Sequence, residues 1–311
     1  MNNVRNDLEG YYLLGADIDM NVSPYNEGEG WEPIGDASAG FLGNFDGNNH
    51  TINNLYINRP ETDNVGLFGY IISNVINNVK LEDVNVIGQN YVGGLVGMNN
   101  QGTIFSSNSI GNIYGIGGVI GGLVGYIELG EITNCFSNSV VTGRNSVGTL
   151  IGSGFQSIVV ESYSTGSAIG EESVGGMIGL DESGTFENCY SLSNITRISD
   201  SSETSFGGFI GYTEGWTDIN NSYSIGRVIY EDTSNPTNKG FSGDAINGYN
   251  NFWDMNTSLQ TTSDDGAIGL TTEQMKDPNN FTDWDFDTIW DINEGTTYPY
   301  LRNNIPSSLP Q

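Results

Sequence analysis

A glycine-bracketed hydrophobic phrase returns along this chain as "NVGLFGY", "YVGGLVGMNN", "IGGLVGYIEL", "SVGTLIGSGF", "SVGGMIGLDE" and "SFGGFIGYTE". The last glycine of each core falls at Gly69, Gly97, Gly125, Gly152, Gly179 and Gly211, at intervals of 28, 28, 27, 27 and 32 residues. A fixed period of this size marks a solenoid or array, in which one structural unit stacks on the next. The long fifth interval holds "SLSNITRISDSSETS", whose polar character predicts a loop protruding from one coil.

Between the markers lie "EITNCFSNSVVTG", "SIVVESYSTGSAIG" and "TFENCYSLSNITRI", short runs of Val, Ile, Thr, Tyr and Phe broken by Gly, Asn and Ser. That is the composition of strands and turns. No repeat offers the uninterrupted apolar stripe of a helix. Each unit therefore reads as one coil of a parallel β-solenoid, stacked at roughly 4.8 Å and bonded through its backbone to the coils on either side. Val92, Leu95 and Val96 should sit inside beside Leu123 and Val124 of the next coil. The 44 glycines among 311 residues suit many tight turns, and those of the phrase are expected to supply positive φ and close approach.

Columns appear on counting from each marker. Nine residues on stand Asn78, Ser106, Asn134, Glu161 and Asn188, a position fit for left-handed backbone and axial amide bonds. Ten on stand Val79, Ser107, Cys135, Ser162 and Cys189; eleven on, Phe136, Tyr163 and Tyr190 predict an aromatic stack. Cys135 and Cys189 share a column two coils apart, beyond the ~7 Å Cα limit of a disulfide, so two free buried thiols are expected.

The ends depart from the period. Residues 1–60 read as an N-terminal cap with the first coils, 61–250 as the repeat solenoid, and 251–311 as a C-terminal capping subdomain. In the last, "LTTEQMKDP" is the one convincing helix start, with Thr271 and Gln274 forming a capping box and Pro278 the stop. The expected fold is all-β: a right-handed parallel β-helix of roughly ten coils, about 50 Å long, capped at both ends.

The phrases "YVGGLVGMN" and "SVGGMIGL", followed by "NCFSNSVVTG" and "NCYSLSN", resemble the GLUG-motif repeats of bacterial surface proteins. The opening "YYLLGADIDM … FLGNFDGNNHTINNLYINR" and the ending "NFWDMNTSLQTTS … GLTTEQMKDP … IWDINEGTTYPYLR" resemble the segments that flank such repeats. The resemblance covers about Leu8 to Arg302. It implies secretion, attachment to a cell surface or a large adhesin, and a β-helix-like fold. Such repeats also accompany the protease part of some immunoglobulin-A-cleaving enzymes, as accessory segments. The stretch 230–250, with no clean glycine phrase, and the 191–204 insertion depart from the pattern.

Net charge is −29, from 38 acidic and 9 basic residues, which excludes the cationic footprint of a nucleic-acid binder and disfavours anionic membranes. No run of 18 apolar residues predicts a span, and the start "MNNVRNDLEG" has no signal-peptide core. His50 is the sole histidine, too few for a zinc site or a hydrolytic triad. Polysaccharide-cleaving β-helices need clustered carboxylates or a basic residue beside acids. The nearest matches are Asp264 with Asp265, Lys80 with Glu82 and Asp83, and Asp17 with Asp19. Asp254, Asn256, Ser258 and Asp265 hold positions 1, 3, 5 and 12 of a calcium-loop-like segment, although Leu259 stands where that loop needs glycine. The function expected is non-catalytic: an extracellular adhesive or structural module, part of a larger surface protein, binding glycan or protein along the solenoid flank. A carbohydrate-active enzyme and a calcium-dependent surface-layer component are the alternatives.

Overall fold

The computed structural model describes residues 1–198, 205–230, 238–263 and 266–311. Nearly all of its regular secondary structure is parallel β-sheet. One coil shows the plan. The strand Val96–Asn100 lies in a six-stranded sheet, Thr103–Phe105 in a nine-stranded sheet, Asn108–Gly115 in a thirteen-stranded sheet and Ile120–Gly121 in a four-stranded sheet. The chain then re-enters the first sheet one rung further on, with Val124 beside Val96.

The interior is a set of apolar columns. Ile76, Ile104, Ile132, Val159, Phe186 and Ile219 stack in register, all fully buried. Val92, Leu95, Val96, Leu123 and Val124 are likewise buried, as their sequence pattern requires. Each such side chain contributes about 1.5–3 kcal/mol by leaving water, and only the stack removes it from water.

The solenoid has about seven complete turns, fewer than the ten coils expected from length. The reason lies at the ends. The longest face carries ten rungs and the nine-stranded sheet nine, but the other two sheets stop earlier, so the end segments add strands to two faces only. The stretch 230–250 still holds a rung. Phe241 stacks on Phe209 with ring centroids 4.8 Å apart, and Ser242 bridges to Ile210. Of this stretch, residues 231–237 lie outside the described residues, as do 199–204 of the predicted insertion.

The phrase glycines need correction. None of the marker glycines has positive φ; the left-handed corners belong instead to other residues. One corner column is Asn64, Tyr91, Val119, Ser146 and Ser173, a second Ser73, Gln101, Leu129, Gln156 and Ser183. The third is the predicted Asn78, Ser106, Asn134, Glu161 and Asn188, continued by Asn221 and Asn250. Its side chains bond along the axis, Asn134 donating to Ser106 Oγ at 3.1 Å. The marker glycines serve close approach: a Cβ on Gly179 would lie 2.4 Å from the backbone of Ser146 and Val147, one coil back.

The small-residue column is a polar ladder. Ser107 N donates to Cys135 Sγ, Cys135 N to Ser162 Oγ at 3.1 Å, and Cys189 N to Ser222 Oγ at 3.1 Å. Each hydroxyl or thiol donates in turn to the carbonyl two residues before it, as Ser162 does to Val160 at 2.9 Å. Burial pushes both thiols up to about 12, so they stay protonated and unreactive at neutral pH.

At the N-terminal end Val4, in the 3₁₀ turn Asn2–Asn6, is buried against the core. At the other end the described residues include two short α-helices, α1 (Met255–Ser258) and α2 (Thr272–Met275). The second has the capping box expected, with Gln274 N donating to Thr271 Oγ1 and Thr271 N to Gln274 Oε1.

Candidate binding groove

One outward face of the thirteen-stranded sheet carries the candidate site. Alternation along its strands turns every second side chain outward. The outward column beginning at Thr51 runs through Lys80, Asn108, Phe136, Tyr163, Tyr190, Tyr223 and Phe252 in strict register. The rings of Phe136, Tyr163, Tyr190 and Tyr223 stack face to face, with centroids 4.9, 4.8 and 5.2 Å apart and planes within 4° of parallel. The aromatic column is therefore longer than the three residues that the spacing aligns.

The tail does more than cover the last rung. It runs back along this face across several coils. Trp284 and Trp290 pack against Tyr223, and Tyr223 OH donates to Pro299 O at 2.5 Å. Trp290 Nε1 donates to Asn188 Oδ1 at 3.3 Å. Asn304 Nδ2 donates to the carbonyls of Cys135 and Glu161 at 3.1 and 3.2 Å. Tyr190 and Tyr223 are thereby fully buried, and burial raises both phenols well above their ordinary value. The chain then turns, with Tyr298 N bonded to Pro310 O, and the ladder emerges beyond it at Phe136.

There a groove of about 300 Å³ opens between the sheet face and the tail residues Pro306–Ser308. Its floor is two adjacent columns, Asn108, Phe136 and Tyr163 beside Ile110, Asn138 and Thr165. Ring edges and one aliphatic side chain lie next to amides and a hydroxyl, the mixture typical of a small-ligand site. Lys80 and Glu82 close one end. Lys80 and Glu82 point outward by alternation, and a β-bulge after Leu81 adds Asp83 to the same side. Ser109 pairs with Leu81 and Gly111 with Val84, so Glu82 and Asp83 together oppose Ile110, and Asp83 takes a left-handed φ of 53°. The "VKLEDV" phrase thus holds a bulge that sets Asp83 beside Glu82 on the outward side.

The remaining sequence candidates are placed as follows. His50 Nδ1 lies 3.0 Å from Asp17 Oδ1, which also accepts the Thr51 N–H at 3.0 Å. The Thr51 N–H first, then His50, hold the Asp17 carboxyl below its ordinary value. Asp19 is lowered in the same way by the Asn21 N–H and the Asn54 amide. Both therefore stay ionised at neutral pH. Asp254 is buried and caps α1, accepting from Asn256 N and Thr257 N at 2.7 and 3.1 Å. Its other oxygen accepts from Thr272 Oγ1 at 2.7 Å and Tyr298 OH at 2.6 Å. Asn256 Oδ1 accepts from Thr272 N, and Ser258 Oγ from Gln260 N. Asp254 and Asn256 thus join α1, α2 and the tail, whereas Ser258 bonds locally. Asp264 and Asp265 lie outside the described residues. Among the described residues no three of His, Cys, Asp and Glu converge where they could hold a metal ion, and no helix is long and apolar enough to cross a membrane.

Comparison with known proteins follows the fold. No protein-family model matches the chain. A crystal structure from Bacteroides ovatus, provisionally named an immunoglobulin A1 protease, superposes with a TM-score of 0.66 over 97% of this chain and 89% of its own, at 19% identity. The shared fold is the β-solenoid. Halomucin of Haloquadratum walsbyi is 40% identical over 138 residues, 42% of this chain and 2% of that protein. A protein of Evansella cellulosilytica provisionally named a Gly-rich membrane protein is 32% identical over 387 aligned positions, covering 96% of this chain and 43% of its own. The chain thus spans less than half the length of either relative.

Proposed function

We propose that this chain is a non-catalytic, surface-displayed module that binds a neutral glycan in the flank groove. The observation that carries this is the open end of the aromatic ladder at Phe136, flanked in register by Asn108, Asn138 and Thr165. Ring and aliphatic edges meet the apolar faces of a sugar, and amides and a hydroxyl meet its hydroxyl groups. Among the described residues lining the groove Lys80 is the one cation and Glu82 the one anion, and the net charge of −29 repels anionic polymers. The resemblance to GLUG-type surface repeats and the likeness to halomucin and a Gly-rich membrane protein support an extracellular, surface-attached setting within a longer protein.

A glycan array followed by calorimetry tests this. A neutral oligosaccharide should bind, and Asn138→Ala and Phe136→Ala should each weaken it about tenfold, or about 1.4 kcal/mol. Asn138 is exposed, so its variant keeps the fold. An array without hits, or hits insensitive to both variants, contradicts the proposal. Lys80 and Glu82 line the groove, and Asp17, which contacts His50 and feels the charge of Lys80, lies beyond its lining; carboxylates near a cation are what a carbohydrate-cleaving enzyme would use. Release of reducing ends or unsaturated products from the same polysaccharides would select that second function.

A further inference from the structure

Among the described residues, the nine-stranded sheet has an unpaired edge at each of its two ends. Its first strand, Tyr11–Leu13, pairs with Asn44–Asp46 and its last, Asn247–Tyr249, with Asp218–Asn220, and no other described strand pairs with either. The outward side chains on these two strands are unusual for their exposure: Tyr11 85%, Leu13 67% and Tyr249 63%. Elsewhere on the same sheet the corresponding columns hold Asn, Asp, Thr and Glu at most rungs. An unpaired strand edge is a template for a further strand, and here both edges carry apolar groups that water would otherwise solvate.

We propose that copies of this chain associate head to tail, the Tyr11–Leu13 strand of one pairing in parallel with the Asn247–Tyr249 strand of another. The register is set by the stack itself. Continuing the pairing Asp218 to Asn247, Ile219 to Gly248 and Asn220 to Tyr249 places Tyr11, Tyr12 and Leu13 on Asn247, Gly248 and Tyr249. Leu13 then covers Tyr249, and the bulky Tyr12 meets a residue with no side chain, whose Cβ would strike Ile219 O of its own molecule. Val4 closes the interior at the first end, so the joint is made by sheet edges and not by open cores. The contact is heterologous and does not close on itself, so it generates linear assemblies. Two chains of net charge −29 repel one another at low ionic strength, and salt screens this. Association therefore rises with salt.

Sedimentation velocity of the full chain over a concentration series tests this at about 0.1 M and about 1 M salt, where the Debye length is about 10 Å and about 3 Å. A concentration-dependent series of heavier species is expected at the higher salt. Leu13→Lys alone and Tyr249→Glu alone should each return it to monomer. The double variant should regain association, since the ammonium introduced on the first strand of one copy would meet the carboxylate introduced on the last strand of another. Both positions are exposed, so folding is not at stake. Tyr114→Lys, on the exposed flank, should change nothing. Monomer at every concentration in both salts overturns the proposal. So does association abolished equally by Tyr114→Lys, or a double variant that fails to regain it.

Discussion

Gly179→Ala should lower the stability of the solenoid by about 3 kcal/mol or more, at the upper end of overpacking costs. The new methyl would stand 2.4 Å from Ser146 C and Val147 N, and 2.7 Å from Gly152 O. These are backbone atoms of a neighbouring rung, held there by the Ile151-to-Ile178 and Val147-to-Val174 pairings on either side, so they cannot move without parting two coils. Gly118→Ala is the internal comparison. Its methyl would come no closer than 3.2 Å to Asn145 O, a contact relieved by a small shift, and the cost should stay below about 1 kcal/mol. Stacked coils need not unfold in one step, so denaturation midpoints of the two variants are the quantities to compare. Equal midpoints would show that the glycine phrase has some other cause.

Asp181→Asn should stabilise the protein at pH 8 by about 3 kcal/mol and do almost nothing at pH 4, given that each tenfold change in proton affinity between the folded and unfolded chain is worth about 1.4 kcal/mol. Asp181 is fully buried, and burial pushes its carboxyl up to about 6, against hydrogen bonds from Thr217 Oγ1 and Gly184 N, both 2.7 Å, and Ser157 Oγ. A folded value above the unfolded one means that protonation favours the fold. That contribution is complete below about pH 4 and is lost as pH rises through about 6. Asparagine carries no charge to desolvate, and the molecule already shows that it fits. Asn99, three rungs earlier in the same column, accepts from Gly102 N and donates to Gly102 O at 2.8 and 3.0 Å. A stability difference independent of pH, or a loss at pH 8, contradicts the assignment. Unfolding midpoints of both proteins across pH 4–8 decide it.

The parts of this molecule that are legible in sequence are those repeated in it. Stacking puts residues 27 or 28 positions apart in contact, so the Asn78 column, the Ser107–Cys135–Ser162 ladder and the ring stack can all be counted out. The parts that are not legible depend on a single event or on the neighbouring rung. Tyr91, Val119 and Leu129 take left-handed corners that their own side chains disfavour, because the coils on either side fix the backbone there. The interior also contains polar side chains that no alternation pattern announces. Ser109, Ser137 and Ser191 face Gly94, Gly122 and Gly176 so closely that a Cβ would meet each hydroxyl at 2.0–2.2 Å. The single extra residue that makes the bulge at Glu82 and Asp83 appears only on comparing two paired strands. Above all, the groove exists because the tail returns along the flank, and the bond from Asn304 to Cys135 O spans 169 residues with no periodic signal to predict it.

The central claim is that successive 27-to-28-residue units lie rung on rung, and a pair of spin labels measures it. Tyr11 and Ile158, both exposed, stand on one column through Asn44, Val75, Thr103 and Glu131. Five steps at ~4.8 Å predict a backbone separation of about 24 Å. Cysteines introduced at the two positions accept the labels, since the native thiols are buried and protonated. A double electron–electron resonance distance centred near this value at low salt, lengthening by about one rung when the second label moves from Ile158 to Thr185, is the expected result. A distance that shortens or stays the same on that move would contradict the stack.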